Sequence, residues 1–379
     1  MTNIEWLSQF LNIQVQTSQF DDLSDAGGYS GSMRRLVVNR GLPDEKSFVL
    51  KKTKPGTEGF SATLGLAREG YFYARLAKDF PEGFLPKVHK VYANMLTGEK
   101  TMLMEDLRGA IQTGYFFGPY SPHNWGKDLA ALTAPAPGVT FKTILEEVCQ
   151  LAGKMHARFW MKKDLLDSTW LRGVDWIVGK GKEGWLEGQM KAKESWCQRN
   201  KEGAGGVRWS KEMAELLEAS FNKISWEDFQ VRLQGDPWTF VHGDYHPANM
   251  MWKTTLKEDS EHNLVLLDWE GIGVGCGAQD LGQYFISHLS PKDRREVEEE
   301  AVKSYYDSLI KSGVDGASYS FDKCRWDVVH GGVERWVWLI GIMTNMGIPD
   351  QPMQYFHDQL EAFVLDHHIT PTNVGMPRL

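Results

Sequence analysis

The stretch FVHGDYHPANMMW, residues 240–252, sets two histidines, an aspartate and an asparagine within eight positions. Histidines four apart, His242 and His246, suit a zinc site only where a helix stacks both imidazoles on one face. Gly243 and Pro247 argue against a helix here, and the glutamate of a HExxH motif is absent. The other two polar residues have the more informative spacing. Asp244 and Asn249 are separated by four residues and His242 stands two before the aspartate, giving H-x-D-x-x-x-x-N.

That is the form of a kinase catalytic loop, in which the aspartate accepts the proton of an attacking hydroxyl and the asparagine gives a neutral oxygen to Mg2+. A second metal ligand is then required. Asp268 stands nineteen residues after Asn249, at the end of the apolar run LVLL and within the triplet DWE. A hairpin across the polar turn KTTLKEDSE would return it beside Asn249. Mg2+ takes oxygen ligands in octahedral geometry, so Asn249, Asp268 and ATP would satisfy it.

Phosphoryl transfer also needs positive charge on the nucleotide phosphates. Lys51 ends the strand candidate FVLK, with Lys52 and Lys54 as alternatives on the same segment. The helix candidate at residues 64–79 puts Glu69 on one face with Phe72, Tyr73 and Leu76. A carboxylate on an apolar face needs a partner, and Lys51 supplies one. Upstream lies a glycine-rich turn with Gly27, Gly28, Ser30, Gly31 and Ser32.

Taken together, HGDYHPAN, LLDWE, FVLK, Glu69 and the later QDLGQYF resemble the aminoglycoside phosphotransferase and choline kinase group of protein-kinase-like enzymes. MLMEDL and LAGKMHARFW further resemble its ecdysteroid kinase-like branch, although that branch usually has an aromatic where His246 stands. The resemblance spans about residues 20–290. It implies a bilobal kinase-like fold, ATP and Mg2+ as cofactors, and phosphorylation of a hydroxyl on a small molecule. Carried over by position, Asp244 is the catalytic base, Asn249 and Asp268 bind Mg2+, and Lys51 with Glu69 forms the phosphate-binding ion pair. The resemblance also implies Gly28, Ser30, Gly31 and Ser32 at the phosphates, and Met104, Glu105 and Asp106 as the hinge against adenine. GGYSGS departs from GxGxxG, which leaves the individual phosphate contacts open.

Length and patterning agree with two lobes. A chain of 379 residues exceeds the usual size of a single core. Hydrophobic residues at 42% and charged residues at 24% describe a globular chain, with 15 Trp and 18 Phe for cores and pockets. Residues 13–20, 33–39, 46–52, 87–94 and 99–107 read as strands of a small antiparallel sheet, with one helix among them. Residues 109–140, rich in Gly, Pro, Thr and Ala, read as a connecting loop or lid. From Phe141 onward apolar residues recur at helical spacing. The expectation is an α+β fold with an N-lobe at residues 1–105 and a mainly helical C-lobe at 106–379.

The net charge of −8 divides into +1 for residues 1–105 and −9 for the rest. Without a basic stripe interleaved with aromatics, nucleic acid is not an expected partner. The opening MTNIEWLSQF has no basic n-region or apolar h-region, and no apolar run is long enough to span a bilayer. Cys149, Cys197, Cys276 and Cys324 are dispersed without CxxC spacing and read as reduced thiols of a soluble, cytoplasmic protein. His156 reads as a core histidine bonded to backbone, Asp280 as a residue that fixes the loop or caps its helix, and His246 as either loop packing or a contact to phosphate or substrate. A nucleotide-binding pseudokinase acting as an interaction module is the alternative function. A protein kinase is disfavoured because no APE-like segment follows DWE. Among acceptors a quaternary amine, an aminoglycoside and a sterol-like alcohol all stay open, and oligomeric state is not legible.

Overall fold

The structure is a computed structural model and describes residues 4–23, 31–202, 206–255, 262–344 and 346–379. The chain forms two compact units. Met1–Ala110 joins Lys253–Gly271 in the first, and Ile111–Trp252 joins Ile272–Leu379 in the second. The division therefore falls five residues beyond the expected boundary, and a later segment belongs with the N-terminal part. Side-chain contacts explain both differences. Arg35 holds Asp106 at 2.7 Å, and Thr254 Oγ1 donates to Gly109 O at 3.3 Å. Leu266 N donates to Phe84 O at 3.0 Å, and Trp269 stacks on Phe72 with ring centroids 4.2 Å apart.

In the first unit, β1 (Ser18–Asp22), β2 (Gly31–Val38), β3 (Lys46–Thr53), β4 (Val88–Asn94) and β5 (Glu99–Glu105) form one antiparallel sheet in the order β1-β2-β3-β5-β4. Its register sets Lys51 between Met33 on β2 and Met102 on β5. One face packs Leu36, Val38, Phe48 and Leu103 against Leu7 and Val15. Leu7 belongs to a helix, Ile4–Leu11, that the strand pattern did not anticipate. The alternation read at residues 13–20 becomes strand only from Ser18, because Ile13 and Val15 pack onto this core ahead of the strand.

The helix expected at 64–79 is Arg68–Arg75, followed by a 3-10 turn at Ala77–Asp79. It starts late because Gly65, left-handed at φ 67°, closes a separate short helix, Glu58–Leu64. Glu69 and Phe72 are buried on its inner face.

The second unit is mainly helical. Thr140 caps the helix Phe141–Arg158 with a capping box through Thr143. The helices Ala278–Ser287 and Phe321–Met343 cross at glycine on glycine: a Cβ on Gly282 would lie 2.4 Å from Gly332 Cα. Only glycine permits backbones that close, and the crossing buries Gln283 and Arg335 one and three residues further along. The strand Thr239–Val241 pairs antiparallel with Gly273–Gly275.

Residues 109–140 are not a free loop or lid beyond Ala110. Ile111–Gln112 pairs as a strand with Met251 and Trp252, and Thr113 Oγ1 donates to Pro247 O at 2.7 Å. Gln112 Nε2 donates to Ala248 O at the same distance. Backbone carbonyls of the 240–252 stretch need donors, and this segment provides them. All four cysteines are free, and among the described residues no helix is long and apolar enough to cross a membrane.

Candidate functional site

In the first unit, Lys51 is buried on β3, whereas Lys52 and Lys54 point outward, so the strand's alternation selects among the three candidates. Its Nζ lies 2.7 Å from Glu69 Oε2, 2.8 Å from Asp268 Oδ1 and 3.5 Å from Glu270 Oε1. Lys100 on β5 enters the same cluster, 2.5 Å from Glu69 Oε2 and bonded to Glu270 Oε1. Two ammonium groups thus meet three carboxylates. Burial alone would drive Lys51 toward neutrality, but Asp268, Glu69 and Glu270 outweigh it and hold the ammonium well above the ordinary lysine range. Burial likewise raises the Glu270 carboxyl, and Asp268 raises it further.

Asp268 differs from the other two acids. Its side chain is 40% exposed while that of Glu69 is 1% exposed, so Glu69 anchors the lysines from within and Asp268 reaches the surface. The Asp268 backbone sits at φ 61°, in the left-handed region that side chains adopt only when surroundings impose it.

The second unit carries the 240–252 loop. Buried Asp280, from the first turn of Ala278–Ser287, accepts from His242 N at 2.8 Å and from Gly243 N at 3.1 Å. It thereby fixes the loop, and no side chain caps that helix. His156 is a core histidine as expected, but its partners are Tyr305 OH at 2.8 Å and Asp280, side chains and not backbone. Gly243, at φ 77°, makes the bend that turns Asp244 outward.

Asp244 Oδ2 accepts from Asn249 Nδ2 at 3.1 Å and lies 3.4 Å from His246 Nε2, while Oδ1 accepts from Gln283 Nε2 at 3.0 Å. His246 Nδ1 accepts from Ala248 N, which assigns the ring's proton to the nitrogen facing Asp244. With its nitrogen committed to Asp244, Asn249 retains the amide oxygen for another partner. Burial would raise the Asp244 carboxyl; His246, His242 and Arg335 reverse this and hold it well below the usual carboxylate range. The side chain is still 45% exposed, open to a ligand.

Some expected groups look different in place. Gly28 and Ser30 lie outside the described residues. Gly31 and Ser32 open β2, opposite Thr53 and Lys52. Met104 is buried in the sheet, the Glu105 amide is taken by Lys87 O at 2.7 Å, and Asp106 is engaged by Arg35. These three residues therefore serve the first unit's own packing and hydrogen bonding.

Four residues beyond those expected complete the two clusters: Lys100, Glu270, Gln283 and Arg335. Lys100 had a signal in the alternation of EKTMLME, which places it on the buried face with Met102 and Met104. Glu270 stood in the DWE triplet. Gln283 lay in the QDLGQYF segment without a role of its own and Arg335 carried no signal, since their position depends on the glycine crossing.

The structure of choline kinase from Cryptosporidium parvum Iowa II matches with a TM-score of 0.58 at 11% identity, covering 94% of this chain and 92% of that one. The chain has the choline kinase fold. An ethanolamine kinase from Plasmodium vivax shares this fold with a TM-score of 0.50 at 10% identity, over 92% of this chain and 83% of its own. A family model, DUF1679, described as "Uncharacterized oxidoreductase dhs-27", matches residues 210–325. No curated protein matches the sequence. The antiparallel sheet β1 to β5 lies outside the residues that the family model matches.

Proposed function

We propose that the protein is an ATP- and Mg2+-dependent phosphotransferase acting on a hydroxyl group of a small molecule. The observation that carries this reading is the buried meeting of Lys51 with Glu69 and the partly exposed Asp268. A lysine held charged by one sequestered and one open carboxylate suits anionic phosphates and a hard cation together. The fold of the two kinases above and the oxygen donors retained by Asp268 and Asn249 support it further.

When bound, ATP would supply the phosphoryl group and Mg2+ would offset its charge, with Lys51 toward the phosphates and Asp268 and Asn249 each offering an oxygen. The chain's own part is positioning. Three donors occupy Asp244, from Asn249, His246 and Gln283, so about one of a carboxylate's roughly four lone-pair directions stays open. An acceptor hydroxyl donating there is aimed by a carboxylate that cannot rotate. Because His246, His242 and Arg335 lower its basicity, Asp244 would orient the hydroxyl first and take its proton as the new oxygen to phosphorus bond forms and the bond from that phosphorus to the departing ADP breaks.

Labelled ATP, Mg2+ and a fractionated metabolite extract, with mass spectrometry of labelled products, test the reading. Asp244→Asn should slow transfer to any identified acceptor by about 10²–10⁴-fold. Wild-type rate in that variant would remove Asp244 as the base. Saturable binding of ATP with Mg2+ but no product from any fraction would favour a nucleotide-binding interaction module instead.

A further inference from the structure

Beside Asp244 the second unit gathers three imidazoles, those of His246, His288 and His123. His288 follows the helix Ala278–Ser287 and is 7% exposed, yet among the described residues neither its Nδ1 nor its Nε2 has a hydrogen-bond partner. Other buried histidines of this unit are satisfied. His156 meets Tyr305 and Asp280, His242 accepts from Asp244 N, and His357 accepts from Ser210 N. A buried polar ring lacking partners on both sides is an uncommon arrangement that a ligand can complete.

Its neighbours give the direction. The His288 ring stacks on His246 with centroids 5.7 Å apart and planes within 8°, and His246 is the ring that touches Asp244. His123 lies 6.2 Å from His288, its Nε2 bonded to Gln112 Oε1. His123 and His288 converge on Gly114, where an added Cβ would stand 3.5 Å from His123 Cδ2 and 3.8 Å from both His288 Cδ2 and Ala248 N.

Charge then selects the ligand. Burial, with repulsion from Lys127 and His246, pushes His123 down to about 4, and burial with His246 and His123 lowers His288 as well. Both rings are neutral at physiological pH, each with one donor and one acceptor nitrogen. Lys127 lies over the Tyr115 ring at 4.8 Å, and Tyr115 stacks on His123. Among the described residues Asp244 is the carboxylate that meets these rings, and it is already reserved for the reacting hydroxyl. An ammonium group here would add to the positive field of Lys127 that already lowers His123.

We propose that His288, flanked by His246 and His123, is the specificity-determining residue for the acceptor, and that the acceptor is an uncharged alcohol with a further hydroxyl or carbonyl group. This rests on the reading of Asp244 as the residue that receives the acceptor hydroxyl. His288 engages the second polar group while Asp244 holds the reacting one.

The test uses alcohols paired for size and differing in charge: choline with 3,3-dimethyl-1-butanol, 1-amino-2-propanol with 1,2-propanediol, and glucosamine with glucose. Phosphorylation should favour the uncharged member by tenfold or more in kcat/KM. His288→Phe, which keeps the stacked ring and loses both nitrogens, should raise KM for that member at least tenfold with KM for ATP unchanged, and His288→Gln should recover part of the loss. Preference for the cationic members, or an unchanged KM in a folded His288→Phe protein, overturns the proposal. If no pair turns over, calorimetric titration of the same alcohols decides. Uncharged alcohols that bind wild type and lose affinity in His288→Phe uphold the acceptor wall even where phosphoryl transfer itself fails. Tighter binding of the cationic members, or no binding of uncharged ones, overturns it.

Discussion

Gln283 donates from Nε2 to Asp244 Oδ1 at 3.0 Å, and Arg335 holds the far end of that amide, Nε to Oε1, at 3.4 Å. The same guanidinium reaches Gly243 O at 2.7 Å, so one buried residue steadies both the loop backbone and the residue that aims its carboxylate. Burial, with repulsion from Arg172, pushes Arg335 down to about 9, against the pull of Asp244 and Asp280. Gln283→Ala should lower kcat by about 10–100-fold with little change in KM, the mark of lost aim. Gln283→Glu places a second carboxylate against Asp244 and should move the acid limb of the pH–rate profile upward. If that limb stayed put, Gln283 would be a packing residue only.

Lys100 and Lys51 divide the work of one cluster. The Lys100 side chain is 2% exposed and bridges Glu69 and Glu270, so Lys100→Met leaves Glu69, Glu270 and Asp268 to share Lys51 alone. Removing one partner of a buried pair costs about 3–5 kcal/mol, and urea unfolding should register a loss of that order. Lys51→Met should instead be read in turnover, with a fall of about 10²–10³-fold. Equal effects of the two variants on both measurements would mean that the lysines are interchangeable.

Acid should loosen the second unit through its histidines. In an unfolded chain these rings take up protons near the ordinary histidine value of about 6.5, whereas burial first, and then Lys127 and His246, hold His123 to about 4. His288 is lowered in the same way. Between those values the unfolded state binds more protons, so stability is complete above about pH 6.5 and declines as pH falls toward 4. Thermal midpoints across that window should drop for wild type and drop less for His288→Phe. Parallel profiles would assign the acid sensitivity elsewhere.

How far the sequence discloses these features depends on how local their causes are. Lys51 and Glu69 were legible because strand alternation and helical spacing each put a charge on an apolar face, and two such charges of opposite sign call for each other. Asp244 and Asn249 were legible from spacing within one loop. Lys52 and Lys54 are separated from Lys51 by the alternation of the strand once its buried face is known. The membership of residues 253–271 in the first unit rests on long-range contacts, Trp269 with Phe72 and Leu266 with Phe84, that no local pattern records. Gln283 and Arg335 depend on Gly282 meeting Gly332 across some fifty residues of chain. The stretch at 109–140 misled because its composition is that of a loop, while its hydrogen bonds serve the backbone of the 240–252 stretch.

Asp268 joins strain to excess charge, and the two make a separable prediction. Its left-handed backbone at φ 61° is one that asparagine tolerates as well as aspartate does. Its carboxylate is also the third acid against two lysines, and it raises the neighbouring Glu270. Asp268→Asn keeps the conformation and the side-chain size and balances the cluster, since Lys51 keeps Glu69 at 2.7 Å. Folding stability should therefore be equal or slightly higher, while phosphoryl transfer falls by about 10²-fold or more for want of the anionic oxygen. Calorimetric unfolding and a turnover assay on the same preparation check both halves. A variant that lost stability and kept activity would reverse the assignment and make Asp268 a structural counter-ion for Lys51.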